Sequence, residues 1–194
     1  VKKSKMPGLV EVIAGSQVVY FDSKGEYMMD GSLVEVKSRT NLTDQALSDV
    51  RLQALNKIAQ DEMLIYKPDQ VDYKVTVVTD VDCPYCRKLH DEMDQYMANN
   101  IEVRYLFLPL KGKKAYNTSV SIWCSDDRNL AMDIAKAGGK VEEETCPNPI
   151  AKHEAISREL GVRGTPAILL EDGTMLPGYL PVKELKKRLE SIKS

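Results

Sequence analysis

The 194-residue chain lacks the features that would indicate a membrane span or a nucleic-acid-binding surface. No apolar run approaches the ~20 residues that a helix needs to cross a bilayer. Basic and acidic residues number 27 and 29, so the formal net charge is only −2. Binding to nucleic-acid phosphates draws on an excess of positive charge, which this composition does not supply. We therefore predict no nucleic-acid partner and no membrane-spanning helix.

The start of the sequence also lacks a hydrophobic signal segment, since it reads Val1-Lys2-Lys3-Ser4-Lys5. If the protein is exported, we expect the sequence given to be a form from which the signal peptide has been removed. The compartment has to be inferred from the cysteines instead.

Cysteine is scarce, with four residues, and two of them form the motif Cys83-Pro84-Tyr85-Cys86. An apolar, β-branched run at 73–79, typical of a buried strand, comes before it, and a segment with helical periodicity follows. Cys83 is therefore expected at a helix N-terminus, where unpaired N–H groups and the helix dipole favour a thiolate. Pro84 suits the first helical position because its missing N–H would have no intrahelical partner.

Two thiols one helical turn apart can interchange between dithiol and disulfide, so this motif indicates redox chemistry. We assign Cys83 as the nucleophile and Cys86, which is expected to be more buried, as the resolving thiol. Tyr85 offers an aromatic contact surface for unfolded chains, although it could equally be a partly exposed residue without that role. The carboxylate of Asp82, next to Cys83, is expected to oppose formation of the thiolate.

A zinc site is the alternative interpretation, because four cysteine thiolates can form a tetrahedral cluster. Such clusters usually use two tight pairs, whereas Cys124 and Cys146 are far apart and no second CxxC exists. The strand and helix on either side of the motif favour redox chemistry over metal binding. We predict neither a metal nor a cofactor.

Cys124 and Cys146 leave two possibilities open. A bond between them would close a loop of some twenty residues and stabilise the fold by ~3 to 4 kcal/mol, which is useful in an oxidising compartment. The alternative is a pair of unrelated buried thiols in a cytosolic protein.

Short β-type runs separated by turn residues are predicted near the N-terminus, at 9–14, 17–21, 27–29 and 33–37. An antiparallel meander of about forty residues rarely buries enough apolar surface to fold alone. Its last run, Leu33–Lys37, would also present unpaired backbone groups at an edge. We therefore predict that residues 1–42 form a dimerisation domain that pairs with a second copy of the chain.

Residues 43–65 are predicted to form a linker helix that begins at Thr43-Asp44. A helix packed into one continuous domain is nearly as compatible with the sequence. Further along the chain, His153 lies between charged neighbours and is expected on a solvated helix face.

From 66 to 194 the predicted order is strand, CxxC helix, strand, a long helical region at 118–137, another helix, a β-hairpin and a final helix. This order predicts an α+β fold with a thioredoxin-like domain that carries a helical insertion. In that fold, a cis proline at the start of a strand faces the CxxC. Pro166 holds this position here, because it directly precedes the apolar strand that begins at Ala167. Thr165 and Pro166, with Pro84 and Tyr85, are the predicted substrate-binding residues.

The chain resembles the periplasmic disulfide isomerases of the DsbC/DsbG family over nearly its whole length. The resemblance rests on the segments 79–90, 122–124, 160–167 and 173–179. It implies a V-shaped homodimer in the periplasm and a structural disulfide between Cys124 and Cys146. It also implies a membrane thiol reductase of the DsbD type that keeps the CxxC reduced.

The sequence thus predicts an enzyme that rearranges incorrect disulfides in misfolded exported proteins through a mixed disulfide at Cys83. One alternative is a thiol oxidase that donates its own disulfide. Another is a holdase chaperone that binds unfolded chains by apolar contact in the cleft of the dimer.

Overall fold

The computed structural model describes residues 1–193 and begins with a four-stranded antiparallel sheet. The strands follow chain order: β1 (Lys2–Lys3), β2 (Leu9–Ala14), β3 (Gln17–Asp22) and β4 (Met28–Asp30). This confirms the predicted meander. The run expected at 33–37 is different, because only β5 (Val34–Glu35) is extended, and it pairs with β6 (Thr40–Asn41) in a separate hairpin.

Helix α1 (Leu42–Leu55) begins where Asn41 accepts a hydrogen bond from the backbone N–H of Asp44, at 3.0 Å. It is shorter than the linker helix predicted over 43–65. The chain leaves the helix because Leu64–Tyr66 forms strand β7, which pairs with a strand of the second sheet. A boundary between domains near residues 42 and 65 stays a prediction.

The second sheet has five strands in the order β11-β10-β8-β9-β7. Its further strands are β8 (Tyr73–Thr79), β9 (Ile101–Phe107), β10 (Ala167–Leu170) and β11 (Met175–Pro177). Strands β8 and β9 are parallel, and the other pairs are antiparallel.

Helices cover both faces of this sheet. They are α2 (Pro84–His90), α3 (Met93–Ala98), α4 (Lys113–Cys124), α5 (Arg128–Lys136), α6 (Ile150–Glu159) and α7 (Val182–Lys193). The single helical region predicted at 118–137 is two helices. The break has a local cause, because Asp127 accepts a hydrogen bond from the N–H of Leu130 and so starts α5 afresh.

Alternation along β8 divides the core into two layers, since successive side chains of a strand point to opposite faces. Val75 and Val77 belong to the larger cluster, beneath helices α2 to α5 and α7. Val78 belongs to the other cluster, together with Ala54 at the end of α1 and Ile156 of α6. The predicted α+β fold with a helical insertion is confirmed.

The imidazole of His153 is completely buried, so the prediction of a solvated position was wrong. Its Nδ1 accepts a hydrogen bond from the N–H of Phe107 at 3.2 Å, and its Nε2 donates to the carbonyl oxygen of Glu62 at 2.8 Å. The sequence misleads here because the neighbours Lys152 and Glu154 are charged, whereas His153 lies on the inner face of α6.

A disulfide joins Cys124, at the end of α4, to Cys146, in the segment before α6. The two Cα atoms are 5.7 Å apart and the sequence separation is 22 residues. This is the pairing that the resemblance implies, and it fixes one end of the helical insertion. Among residues 1–193, no helix combines the length and apolar character needed to span a membrane.

Candidate active site

The CxxC motif lies where strand β8 passes into helix α2. Cys83 has extended backbone angles, φ −81° and ψ 123°, and Pro84 occupies the first turn of the helix. The backbone therefore changes direction at Cys83 itself. This is the helix N-terminal position that the sequence predicts for the nucleophile.

Asp80 holds the turn between β8 and Cys83 in place. Its buried carboxylate accepts hydrogen bonds from the N–H of Asp82 at 2.9 Å, of Leu110 at 2.8 Å and of Lys111 at 3.2 Å. The turn before the motif is thereby tied to the segment after β9. Asp80 is not among the residues predicted from the sequence, although an acidic residue directly after a buried strand is a usable signal.

The loop before β10 faces the motif. Thr165–Pro166 is a cis peptide bond, and the Cys83 thiol donates a hydrogen bond to the carbonyl oxygen of Thr165 at 3.2 Å. Pro166 is buried and Thr165 is half-buried. The structure thus brings together Cys83, Thr165 and Pro166, which are more than 80 residues apart in the chain.

The two thiols differ in environment. Burial opposes ionisation of Cys83, but hydrogen bonds from the backbone N–H groups of Cys86 and Tyr85 and from the Thr165 side chain outweigh it and lower the pKa of this thiol. Cys86 has 1% of its surface exposed, against 9% for Cys83. Burial raises the pKa of the Cys86 thiol, although the Lys136 ammonium opposes the rise. Cys83 is therefore the more readily ionised of the two thiols.

Asp82 does not act on Cys83 as an isolated negative charge. Its carboxylate lies 3.3 Å from the guanidinium of Arg87, one turn into α2, and both side chains are about one-third exposed. The guanidinium also donates from Nε to the carbonyl oxygen of Val81 at 3.1 Å. The expected opposition to the thiolate is offset by this ion pair, which the sequence analysis missed.

An exposed aromatic surface adjoins the motif. Tyr85 is 62% exposed and stacks on Tyr179, with ring centroids 6.4 Å apart. The Lys88 ammonium lies 4.7 Å from the centroid of the Tyr179 ring. Tyr85 is thus available to contact another chain beside Cys83, and Pro84 is exposed next to it.

The geometry does not support the zinc alternative. Cys124 and Cys146 are bonded to each other, so they cannot join Cys83 and Cys86 in a four-thiolate cluster. Within the part of the chain that the structure describes, no group of three or more His, Cys, Asp or Glu side chains is arranged to hold a metal ion. The two free thiols remain as the reactive groups.

A CxxC at the start of a helix, opposite a cis proline at the start of a strand, defines the thioredoxin-fold thiol:disulfide oxidoreductases. A family of thioredoxin-like domains matches residues 59–193, in agreement with this class. The disulfide bond isomerase protein N-terminal domain matches residues 1–44. The chain belongs to the DsbC family of thiol:disulfide interchange proteins.

Individual relatives agree with this assignment. The thiol:disulfide interchange protein DsbC of Dickeya dadantii is 40% identical over 198 residues, which span 100% of this chain and 81% of that protein. DsbC of Escherichia coli K12 is 38% identical over 194 residues, spanning 98% and 80%. A crystal structure of a disulfide interchange protein from Neisseria gonorrhoeae has 25% identity and a TM-score of 0.62, covering 69% of this chain and 97% of that one.

Proposed function

We propose that the protein rearranges incorrect disulfides in exported proteins, with Cys83 as nucleophile and Cys86 as resolving thiol. The main support for this proposal is the difference between the two thiols: the pKa of Cys83 is lowered, whereas Cys86 is more buried and its pKa is raised. The first favours attack on a substrate disulfide. The second delays the competing attack that would end the reaction early.

The reaction begins when the Cys83 thiolate attacks one sulfur of a wrong disulfide. A mixed disulfide forms, and the other substrate sulfur leaves as a thiolate. That thiolate, or another substrate thiolate, attacks elsewhere in the substrate until a final attack on the mixed disulfide releases Cys83. The substrate leaves with a different pairing and with no net change in oxidation state. Cys86 offers a second exit, in which the substrate leaves reduced.

Substrate positioning rests on the loop opposite the motif. The carbonyl oxygen of Thr165 accepts a hydrogen bond from Cys83 in the reduced protein, so it lies where the backbone of a bound chain would run. The exposed ring of Tyr85 and the neighbouring Pro84 provide apolar contact next to the reacting sulfur. We assign Thr165, Pro166, Pro84 and Tyr85 to substrate binding.

The reaction needs a reduced CxxC in a compartment where structural disulfides persist. The Cys124–Cys146 bond favours an oxidising location, and we place the protein in the periplasm. A membrane thiol reductase of the DsbD type would return an oxidised CxxC to the dithiol. We also propose that the protein acts as a homodimer.

The test uses a scrambled multi-disulfide enzyme and pre-reduced protein without added redox buffer. We expect catalytic recovery of the scrambled enzyme with the native chain, no recovery with Cys83→Ser, and partial recovery with Cys86→Ser. Equal recovery with Cys83→Ser would contradict the assignment. If the native chain gives no recovery but its disulfide form readily oxidises a reduced substrate, the protein is a thiol oxidase. Suppression of aggregation by a variant lacking both thiols would instead indicate a holdase role.

A further inference from the structure

Lys136, the last residue of α5, is buried against the turn that carries the catalytic cysteines. Only 2% of its surface is exposed. Its ammonium donates to the hydroxyl of Thr79 at 2.7 Å and to the backbone carbonyl oxygen of Asp80 at 2.9 Å. Thr79 is the last residue of β8 and Asp80 follows it, so both acceptors lie a few residues before Cys83. The third N–H of the ammonium is not used by these two bonds.

A lysine in this position is costly, because burying a charge disfavours folding unless an opposite charge pairs with it. Both hydrogen-bond acceptors of Lys136 are neutral. The carboxylate of Asp80 accepts three backbone N–H groups instead. Among residues 1–193, no carboxylate lies within salt-bridge distance of the Lys136 ammonium. The fold therefore keeps a cation here that no directly bound anion neutralises.

Several ionisable groups face this cation from the neighbouring elements. They are Cys83, Cys86, Arg87 and His90 on or at α2, Asp80 after β8, and Tyr105 on β9. Burial lowers the pKa of His90 and raises that of Tyr105, so both are neutral at pH 7. The guanidinium of Arg87 is paired with Asp82. The thiols are left as the groups that gain a negative charge near this ammonium during the reaction.

The ammonium itself is charged at neutral pH. Burial lowers the pKa of Lys136 to about 8, and the charge interaction with Cys86 is the leading one that opposes this fall. The same interaction acts on Cys86, where the Lys136 charge is the first influence that opposes the effect of burial. Lysine and thiol therefore favour each other's charged form.

We propose that Lys136 is a positioning residue whose ammonium stabilises the Cys86 thiolate and so sets how quickly a trapped substrate is released in reduced form. This deepens the proposed function and rests on it. In the step concerned, the Cys86 thiolate attacks Cys83 Sγ of the mixed disulfide. The Cys83–Cys86 bond forms while the bond from Cys83 to the substrate sulfur breaks. The substrate sulfur leaves with the electron pair and takes a proton from water, so the substrate gains the two electrons that the CxxC loses.

The two thiols are therefore influenced by different groups. Backbone N–H groups at the start of α2 act on Cys83, whereas the buried ammonium, bonded to Thr79 and Asp80, acts on Cys86. Without the ammonium, the mixed disulfide would last longer, and more substrate would leave by rearrangement. Lys136 thus tunes the balance between isomerisation and reduction.

The experiment follows the reaction of reduced full-length protein with 5,5′-dithiobis(2-nitrobenzoate) by stopped flow, from pH 5 to pH 9. The first, reagent-dependent phase of thionitrobenzoate release reports attack by Cys83. The second, reagent-independent phase reports attack by Cys86 on the mixed disulfide. Lys136→Met removes the buried charge. Lys140→Met removes the same charge at an exposed position four residues further on.

We expect Lys136→Met to slow the second phase at pH 7 by about threefold or more, because a one-unit rise in thiol pKa lowers the thiolate fraction more than it raises nucleophilicity. The difference from the native chain should shrink as the pH rises through about 8, where the Lys136 ammonium loses its charge. Lys136→Arg should restore much of the rate, and Lys140→Met should leave both phases unchanged.

Second-phase rates in Lys136→Met that equal those of the native chain throughout the range from pH 5 to pH 8 would overturn the proposal. If Lys136→Met does not fold, as judged by circular dichroism, Lys136→Gln carries the same test because it keeps a donor and lacks the charge. Retention of the fast first phase in Cys83→Ser would instead contradict Cys83 as nucleophile. Failure of the proposed function is therefore distinguishable from failure of the role of Lys136.

Discussion

His153 on α6 links β9 and the segment before β7 through a single neutral imidazole. It bonds to the backbone of Phe107 in β9 and of Glu62 before β7. Its ring also stacks on Phe107, with centroids 6.0 Å apart, and meets Trp123 edge to face. Since Nδ1 accepts and Nε2 donates, only the neutral tautomer with a proton on Nε2 satisfies both partners.

This arrangement predicts a pH dependence of stability. Burial lowers the pKa of His153 from 6.5 to about 4. In the unfolded chain the imidazole takes up a proton as pH falls below about 6.5, whereas the folded chain resists protonation until about 4. The neutral imidazole therefore contributes about 3 kcal/mol to the free energy of unfolding above pH 6.5, and this contribution is lost as the pH falls from 6.5 to 4.

We expect His153→Gln to remove this part of the pH dependence, because the amide can accept from Phe107 and donate to Glu62 without titrating. The measurement is the free energy of unfolding in urea at pH 7.5, 6, 5 and 4. As the pH falls, the free energy of unfolding of the native chain should decrease relative to that of the variant. Parallel curves across this range would contradict the neutral buried imidazole.

The candidate site residues can be recognised in the sequence because their signals are local. Cys83 and Cys86 stand in one short motif, and Thr165-Pro166 directly precedes an apolar strand. Lys136 and His153 are different, because their partners come from distant segments. From the sequence, a charged side chain is expected at the solvated surface unless the buried face of its helix is known. The one local hint for Lys136 is its position one turn after the buried Met132.

At the scale of elements, helix α1 rests directly on the turn between β10 and β11. Gly173 in this turn has φ +83°, and a Cβ built on it would lie 2.8 Å from the carbonyl carbon of Ser48 in α1. Buried Arg51 spans the junction, since its Nη1 donates to Asp44 at 2.7 Å and to the carbonyl oxygen of Gly173 at 3.3 Å. The helix is thus docked on the β10–β11 turn of the second sheet.

We expect Gly173→Ala to destabilise the protein for two reasons, its positive φ and the clash with the Ser48 backbone. Gly178→Ala is the control, because Gly178 has a nearly equal φ of +82° but nothing lies within 4 Å of a Cβ built there. The control should cost about 1 to 2 kcal/mol from backbone strain alone. Gly173→Ala should cost about 1 to 3 kcal/mol more, since packed backbone has to move. Urea unfolding measures both, and equal losses would argue against close docking.

Element types are predictable from sequence here, whereas their ends are less so. Apolar, β-branched runs correctly predict β8 and β9 because these strands are buried on both faces. The linker helix is too long in the prediction because Ile58 continues the apolar spacing although it lies beyond the helix, in the turn before β7. Periodicity alone does not distinguish a buried turn residue from another helical turn.

At the scale of the whole molecule, the N-terminal sheet has little core of its own. Its buried cluster consists of Val18 and Tyr20 from β3 with Ala46 from α1. By contrast, apolar side chains of this region are well exposed: Met6, Tyr27, Met28, Met29, Val34 and Val36. Strand β4, at the edge of the sheet, buries none of its residues. Such a surface is typical of one that pairs with another chain.

We therefore expect a homodimer formed through this region, with twice the mass of one chain by light scattering at micromolar concentration. Met28→Glu combined with Val36→Glu should reduce the mass to that of one chain, because two carboxylates would be desolvated in each protomer. Leu130→Glu is the control, since Leu130 is 55% exposed on α5 in the catalytic domain, and it should leave the dimer intact. A single-chain mass for the native protein would contradict the prediction. Dissociation by Leu130→Glu alone would place the contact in the catalytic domain instead.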